Sequence, residues 1–155
     1  MLTLRDEFPA LLPGAEARAL AERAMLLGEF LEREAIALPF RARAGVAHVH
    51  GHCHQKAHGA FPPALAALGR IPGLAVKPIA SACCGMAGAF GYMAENQAVS
   101  RAMAGAGLLG AVRGAAAEDV IVADGTSCRH QIRDLGAREA VHSVRVLAEA
   151  LAAPG

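Results

Sequence analysis

Hydrophobic positions along the chain change between helix-type and strand-type spacing. From residue 15 to about residue 34, leucine and alanine recur every three or four positions with charged residues between them, which predicts a helix. Short apolar runs at residues 46–49, 74–79 and 120–123 have the length and composition of buried strands. The sequence therefore predicts strands separated by helices.

Further helices are predicted at residues 60–68, 93–103 and 128–135 and at the C-terminal end, with a last strand at 140–144, whereas 104–117 has no definite pattern. This alternation predicts an α/β fold: one compact domain over residues 1–155, with a short, mainly parallel sheet flanked by helices. Residues 1–13 contain two prolines and are predicted to be irregular. We expect this lead-in to be the end of a preceding region in a longer parent protein.

Composition argues against two classes of partner. The net charge is +1, tryptophan is absent and aromatic residues make up 4%, so neither a basic phosphate-binding surface nor a base-stacking platform is expected. The longest uncharged stretch, residues 78–94, is interrupted by glycines, a serine and two cysteines, and we expect no transmembrane segment. The first residues lack the pattern of a secretory signal, so a cytoplasmic location is expected.

All four cysteines lie in segments rich in glycine or histidine, just after predicted strands. Cys53 follows the first strand, the adjacent pair Cys83 and Cys84 follows the second, and Cys128 follows the third. Because the carboxyl ends of parallel strands share one edge of a sheet, we expect these thiols to converge. We also expect Cys128 to lie near a helix N-terminus, which favours its thiolate form. Converging thiolates are typical ligands of a soft metal.

Core packing as small apolar residues would also account for the cysteines, and so would disulfide formation, which a reducing cytoplasm disfavours. Five of the seven histidines lie within residues 48–58, so one of them is a plausible further ligand. We take His52, His54 and His130 as secondary metal-ligand candidates, although hydrogen bonding or simple exposure would also explain each histidine. Lys56 and Arg129 are placed to offset thiolate charge, or are simply solvated.

Three sequence strings carry a resemblance to a known family. They are HGHCHQK at 50–56, CCGMAGAFGY at 83–92 and ADGTSCRHQ at 123–131. Together they resemble the cysteine-rich CCG domain of heterodisulfide reductase B subunits and of the glycolate oxidase iron–sulfur subunit. The strings are most similar to the C-terminal end of large FAD-linked oxidases of the D-2-hydroxyacid dehydrogenase type. Some CCG domains end in Cys-x-x-Cys, whereas here Cys128 is followed by Arg129, His130 and Gln131.

The resemblance implies an electron-transfer domain that binds a 4Fe–4S cluster through Cys53, Cys83, Cys84 and Cys128. It also implies a flavin-binding dehydrogenase domain or subunit as partner, and a parent substrate such as glycolate, lactate or 2-hydroxyglutarate. FAD is expected only in that partner, because the chain has no dinucleotide fingerprint, and the domain alone is expected to be non-catalytic. Alternatives are a module holding zinc through three cysteines and one histidine or water, and a thiol–disulfide module using Cys83 and Cys84.

Overall fold

A four-stranded parallel sheet forms the centre of the molecule. The computed structural model describes residues 1–152, and its strands are β1 (Gly45–His50), β2 (Leu74–Pro78), β3 (Val120–Ala123) and β4 (Ala140–Val141). Their order across the sheet is β2-β1-β3-β4, and every neighbouring pair is parallel. The α/β fold with a parallel sheet that the sequence predicts is confirmed.

Helices connect and cover these strands. In residues 1–152 they are α1 (Leu2–Arg5), α2 (Glu7–Leu11), α3 (Ala15–Arg23), α4 (Leu27–Arg33), α5 (Cys53–Ala57), α6 (Phe61–Gly69), α7 (Gln97–Gly105), α8 (Leu108–Gly114), α9 (Thr126–Gly136) and α10 (Ser143–Ala150). Two 3₁₀ turns, Phe90–Tyr92 and Ala94–Asn96, precede α7. Within this part of the chain, no helix combines the length and the apolar character needed to cross a bilayer.

The sheet separates two hydrophobic clusters, because successive strand side chains point to opposite faces. On β3, Val122 belongs to the cluster that also contains buried residues of α4, α6 and α10. Its neighbour Ile121 belongs to the other cluster, together with buried residues of α8 and α9. Cys84 and Cys128 are members of this second cluster. Part of the cysteine motif is therefore built into the core.

Two predictions for the first third of the chain are wrong. Residues 15–34 were expected to form one helix, but the chain leaves helical geometry between α3 and α4, where Leu26 is extended with a ψ of 159°. The Glu29 carboxylate accepts a 2.8 Å hydrogen bond from the Leu26 N–H and so starts α4 anew. Residues 1–13 contain α1 and α2 rather than irregular chain; Pro9 lies in the first turn of α2, where its missing N–H costs nothing.

Two boundaries near the carboxyl edge of the sheet also differ from the prediction. The segment after β1 forms helix α5 instead of a loop. The last strand stops at Val141, because the ring Nδ1 of His142 accepts a 3.1 Å hydrogen bond from the Val144 N–H and caps α10. Both differences arise from local hydrogen bonding that hydrophobic periodicity does not report.

Candidate metal centre

The carboxyl ends of β1, β2 and β3 meet at one edge of the sheet, and each leads into a cysteine segment. Helix α5 begins at Cys53, two residues after β1 gives way to Gly51. Cys83 and Cys84 lie in the connection that follows β2, and Cys128 lies in the first turn of α9 after β3. The fold therefore brings the three segments to the same edge.

Cys84, Cys128 and His50 form a buried trio. These residues are 3%, 0% and 1% exposed, and each offers one ligand atom that lies within 4.8 Å of the other two. His50 is the last residue of β1, so the sheet itself fixes its position. Two thiols and an imidazole at this spacing are a donor set that could hold a metal ion.

The His50 ring has one nitrogen engaged and one free. Nδ1 lies 2.8 Å from the Ser81 Oγ, which fixes the orientation of the ring. Nε2 is buried and has no hydrogen-bond partner among residues 1–152. A buried polar atom without a partner is costly, and ligating histidines typically have their other ring nitrogen held by a hydrogen bond. The unpartnered Nε2 of His50 is therefore what is expected of an imidazole that binds a metal ion.

The two thiols of the buried trio have opposite pKa shifts. A hydrogen bond from the Cys128 thiol lowers the pKa of Cys84 to about 4; burial opposes this shift, and His50 and the Met86 amide add to it. The neighbouring Cys84 thiolate, together with burial, raises the pKa of Cys128 far above its usual range. The helix dipole at the start of α9 favours the Cys128 thiolate, but negative charge on the adjacent Cys84 raises the pKa of Cys128 and so acts in the opposite direction.

Cys53 and Cys83 form an exposed pair. Their sulfurs are 3.4 Å apart, and the Gly85 N–H donates a 3.3 Å hydrogen bond to the Cys83 sulfur. Burial raises the pKa of Cys83, and the Gly85 amide opposes that shift. Negative charge on Cys53 and Cys83 also raises the pKa of Cys128. The exposed pair and the buried trio are therefore within electrostatic reach of each other, and all four cysteines are free thiols.

The loop that carries the adjacent cysteines is held against α7 and α9. Gly85 has a φ of +87°, and a Cβ there would lie 2.3 Å from the Ser100 carbonyl oxygen, so only glycine fits. The buried Gln131 amide donates a 3.0 Å hydrogen bond to the Cys84 carbonyl and another to the Ser100 Oγ. This packing fixes the backbone at Cys84 and Gly85.

Two basic side chains hold the backbone of the other segments. Lys56 Nζ donates to the Ser81 and Ala82 carbonyls at 2.6 and 2.7 Å, which joins α5 to the loop before Cys83. Arg129 donates to the Ala123 and Asp124 carbonyls at 2.9 and 2.8 Å, which joins α9 to the end of β3. Both cations therefore position the loops as well as adding positive charge near the thiols.

The histidines predicted as secondary candidates lie in three different places. His52 lies beside the buried trio, where a Cβ on Gly125 would come within 2.6 Å of its ring and 2.9 Å of the Cys128 sulfur. Burial lowers the pKa of His52. His54 instead faces Asp6 and His58. His130 lies on α9 near Asp134, whose pKa is lowered mainly by Arg133 and further by His130.

His50 was not among the preferred candidates, although the sequence contained a signal for it. His48, His50 and His52 alternate along the predicted strand, and only the last strand residue before the cysteine segment reaches the carboxyl edge of the sheet. His48 is further from that edge and makes a 2.9 Å contact with Asp119. Strand position thus separates histidines that composition treats as equivalent.

The amino-acid sequence of this chain is similar to part of a longer protein of known function. The chain is 33% identical over 152 residues to the C subunit of anaerobic glycerol-3-phosphate dehydrogenase from Escherichia coli strain K12, and to the protein of the same name in Escherichia coli O157:H7. The match covers 96% of this chain but 38% of the length of each relative. No family model matches the chain, and no solved structure matches it significantly. The chain is thus similar, over almost its whole length, to a part of a dehydrogenase subunit.

Proposed function

We propose that this chain is an electron-transfer domain of the cysteine-rich CCG type, which holds a 4Fe–4S cluster through Cys53, Cys83, Cys84 and Cys128. The observation that carries the proposal is the meeting of three strand-end segments, with four free thiols, at one edge of the sheet. Cysteine thiolates are the usual ligands of such clusters, and Cys84 already has a strongly lowered pKa. The cluster would supply one-electron chemistry, and the residues of the chain would hold it and limit its contact with water.

The flavin belongs to a partner domain or subunit in this proposal. Similarity to a subunit of a dehydrogenase supports a partner that carries out the oxidation. On this chain, Cys53 is exposed and Cys83 is partly exposed, so one side of the centre is open to a docking protein. Electrons would enter or leave through that side, and the buried trio would stay fixed.

The parent substrate is proposed to be a small anionic alcohol. The sequence resemblance points to D-2-hydroxyacids such as glycolate, lactate and 2-hydroxyglutarate, whereas the relatives are named for glycerol-3-phosphate. These compounds share an oxidisable carbinol close to an anionic group. We propose a D-2-hydroxyacid as the substrate of the parent protein. We also propose a cytoplasmic location, where thiols stay reduced.

Two assays test this function. The anaerobically reconstituted chain should accept electrons from photoreduced free flavin and pass them to an artificial acceptor, whereas a Cys84→Ser chain should not. The same chain should show no turnover of D-lactate, glycolate, D-2-hydroxyglutarate or glycerol-3-phosphate with that acceptor, because none of these alcohols can be oxidised without the hydride acceptor of a partner. Turnover by the chain alone would mean that a catalytic site has been overlooked.

A zinc-binding module is the second candidate, and His50 is the observation in its favour. The buried trio supplies two thiols and one imidazole, and a third thiol would complete the donor set of a structural zinc site. The two candidates differ in colour, since an iron–sulfur protein absorbs visible light and zinc does not. They also differ in the response to Cys53→Ser, which removes a ligand from a four-cysteine cluster but spares a zinc site built on the trio and Cys83.

A further inference from the structure

A second cluster of metal-binding side chains lies outside the cysteine centre. The His54 Nε2 is 3.4 Å from the Asp6 Oδ2, and the His58 Nε2 is 3.6 Å from the same oxygen. The ligand atoms of all three residues lie within 4.8 Å of one another. His54 and His58 are four residues apart along α5 and its C-cap, so they project from the same side of that helix.

The distances in this cluster match a shared cation better than a hydrogen bond. Ligands bound to a tetrahedral zinc ion at about 2.0–2.2 Å lie about 3.3–3.6 Å from each other. The Asp6 oxygen is at nearly that distance from both imidazoles. By contrast, the His48–Asp119 pair of the same molecule is at 2.9 Å, the ordinary distance of a direct hydrogen bond.

The neighbouring charged groups are engaged elsewhere. Glu29 is the second carboxylate near His58, after Asp6. It is already bound to the Arg5 guanidinium through two hydrogen bonds of 2.9 and 2.7 Å, so neither group competes for the cluster. Lys56 is directed to the Ser81 and Ala82 carbonyls. The cluster therefore keeps two imidazoles and one carboxylate, a set with the charge and softness that suit a divalent transition ion.

Exposure leaves room for the ion to reach this cluster. The His54 and His58 side chains are 28% and 26% exposed, and the Asp6 side chain is 59% exposed. Three protein ligands would leave a fourth tetrahedral position for water.

We propose that Asp6, His54 and His58 form a second metal site, which takes Zn²⁺ or a similar divalent transition ion. The ion would join the connection between α1 and α2 to α5. Because α5 also begins at Cys53, one short helix would carry ligands of both centres. The site would thus tie the N-terminal helices to the exposed side of the cysteine centre. This inference does not depend on which metal the cysteines hold.

The test counts zinc on the full chain under anaerobic, reducing conditions. Asp6→Asn and His58→Gln should each retain one zinc ion per chain fewer than the wild type after gel filtration. Glu7→Gln removes the same charge from the neighbouring position and should retain the wild-type amount. With Co²⁺ as the probe, thiolate-to-cobalt absorption from the cysteine centre should stay unchanged in all three variants, so loss at the second site is separable from damage to the first.

Nuclear magnetic resonance of the wild-type chain provides a readout that needs no variant. Once the cysteine centre is filled, one further zinc ion per chain should shift the imidazole Nε2 resonances of His54 and His58 together and leave His130 unaffected. Equal zinc content in all the chains, or unshifted His54 and His58 rings, would overturn the proposal. Binding that requires millimolar zinc would overturn it as well.

Discussion

Cys84 and Cys128 belong to a hydrophobic cluster of the core, with the buried His50 beside them, whereas Cys53 and Cys83 are held nearer the surface by a five-residue helix and a loop. The buried trio is positioned by β1, by the start of α9 and by Gln131, all parts of the folded core. The exposed pair depends on Lys56 and on one backbone N–H. The buried trio is therefore preorganised to retain a metal, and the exposed pair completes the centre where it meets solvent or a partner.

The largest expected effect is the loss of a thiolate from the buried trio. Cys84→Ser keeps the size of the side chain but removes a soft ligand and its low pKa, so metal retention should weaken at least about 100-fold. Iron and zinc content after anaerobic reconstitution and gel filtration measure the effect. Cys53→Ser, from the exposed pair, is the matched variant: an equal loss indicates a four-cysteine cluster, and no loss indicates zinc. Full metal retention by Cys84→Ser would contradict the claim that the buried trio retains the metal.

A backbone change in the loop that follows Cys84 should give the next largest effect. Gly85→Ala combines a positive φ with a contact of 2.3 Å to Ser100, so it should lower the free energy of unfolding by about 2–4 kcal/mol. Gly88→Ala also has a positive φ, of +70°, but its Cβ would meet nothing within 4 Å, so about 1 kcal/mol is expected. Urea unfolding of the apoprotein compares the two. Similar losses for both variants would show that the loop is not held by the core.

His50→Gln tests whether the imidazole is a ligand or a neighbour of one. If the cluster uses four cysteines, the variant should keep its iron and sulfide, with retention weakened at most about 10-fold through the lost contact with Cys84. Metal analysis and the visible spectrum record the outcome. If the wild-type centre is colourless and contains zinc, and His50→Gln abolishes zinc binding, the zinc alternative is favoured.

The smallest effect is expected from the loss of Lys56, which docks α5 against the loop before Cys83. Lys56→Met removes two hydrogen bonds to the Ser81 and Ala82 carbonyls while keeping most of the side-chain volume, which should weaken the docking of α5 by about 1 kcal/mol. Loss of cluster absorbance in air should become several-fold faster. Lys77→Met, at an exposed position of β2, is the control and should behave as the wild type. Equal rates for both would mean that Lys56 does not hold the exposed pair.

Much of this arrangement could be predicted from the sequence. The apolar runs before each cysteine segment predicted the three main strands and their shared edge, because that prediction needs only strand-like composition and the rule for parallel sheets. The opposite pKa shifts of Cys84 and Cys128 could not be predicted, since they depend on which sulfurs the fold brings next to each other. Helix α5 and the division between α3 and α4 were also missed, because side-chain hydrogen bonds such as that of Glu29 decide them.

The proximity of Asp6 to His54 and His58 could not be predicted from the sequence either. Residues 1–13 have no periodic apolar pattern, and only tertiary packing brings Asp6 within 3.6 Å of histidines about fifty positions later. The enrichment of histidine at residues 48–58 is visible in the sequence. The structure places His50 in the buried trio, whereas His54 and His58 lie beside Asp6.

Iron and sulfide analysis of the anaerobically reconstituted wild-type chain, combined with electron paramagnetic resonance of its reduced form, tests the central claim most directly. A four-cysteine cluster predicts about four iron and four sulfide ions per chain, and a paramagnetic signal on reduction that Cys84→Ser lacks. A chain that retains about one zinc ion, and neither iron nor sulfide, would contradict it.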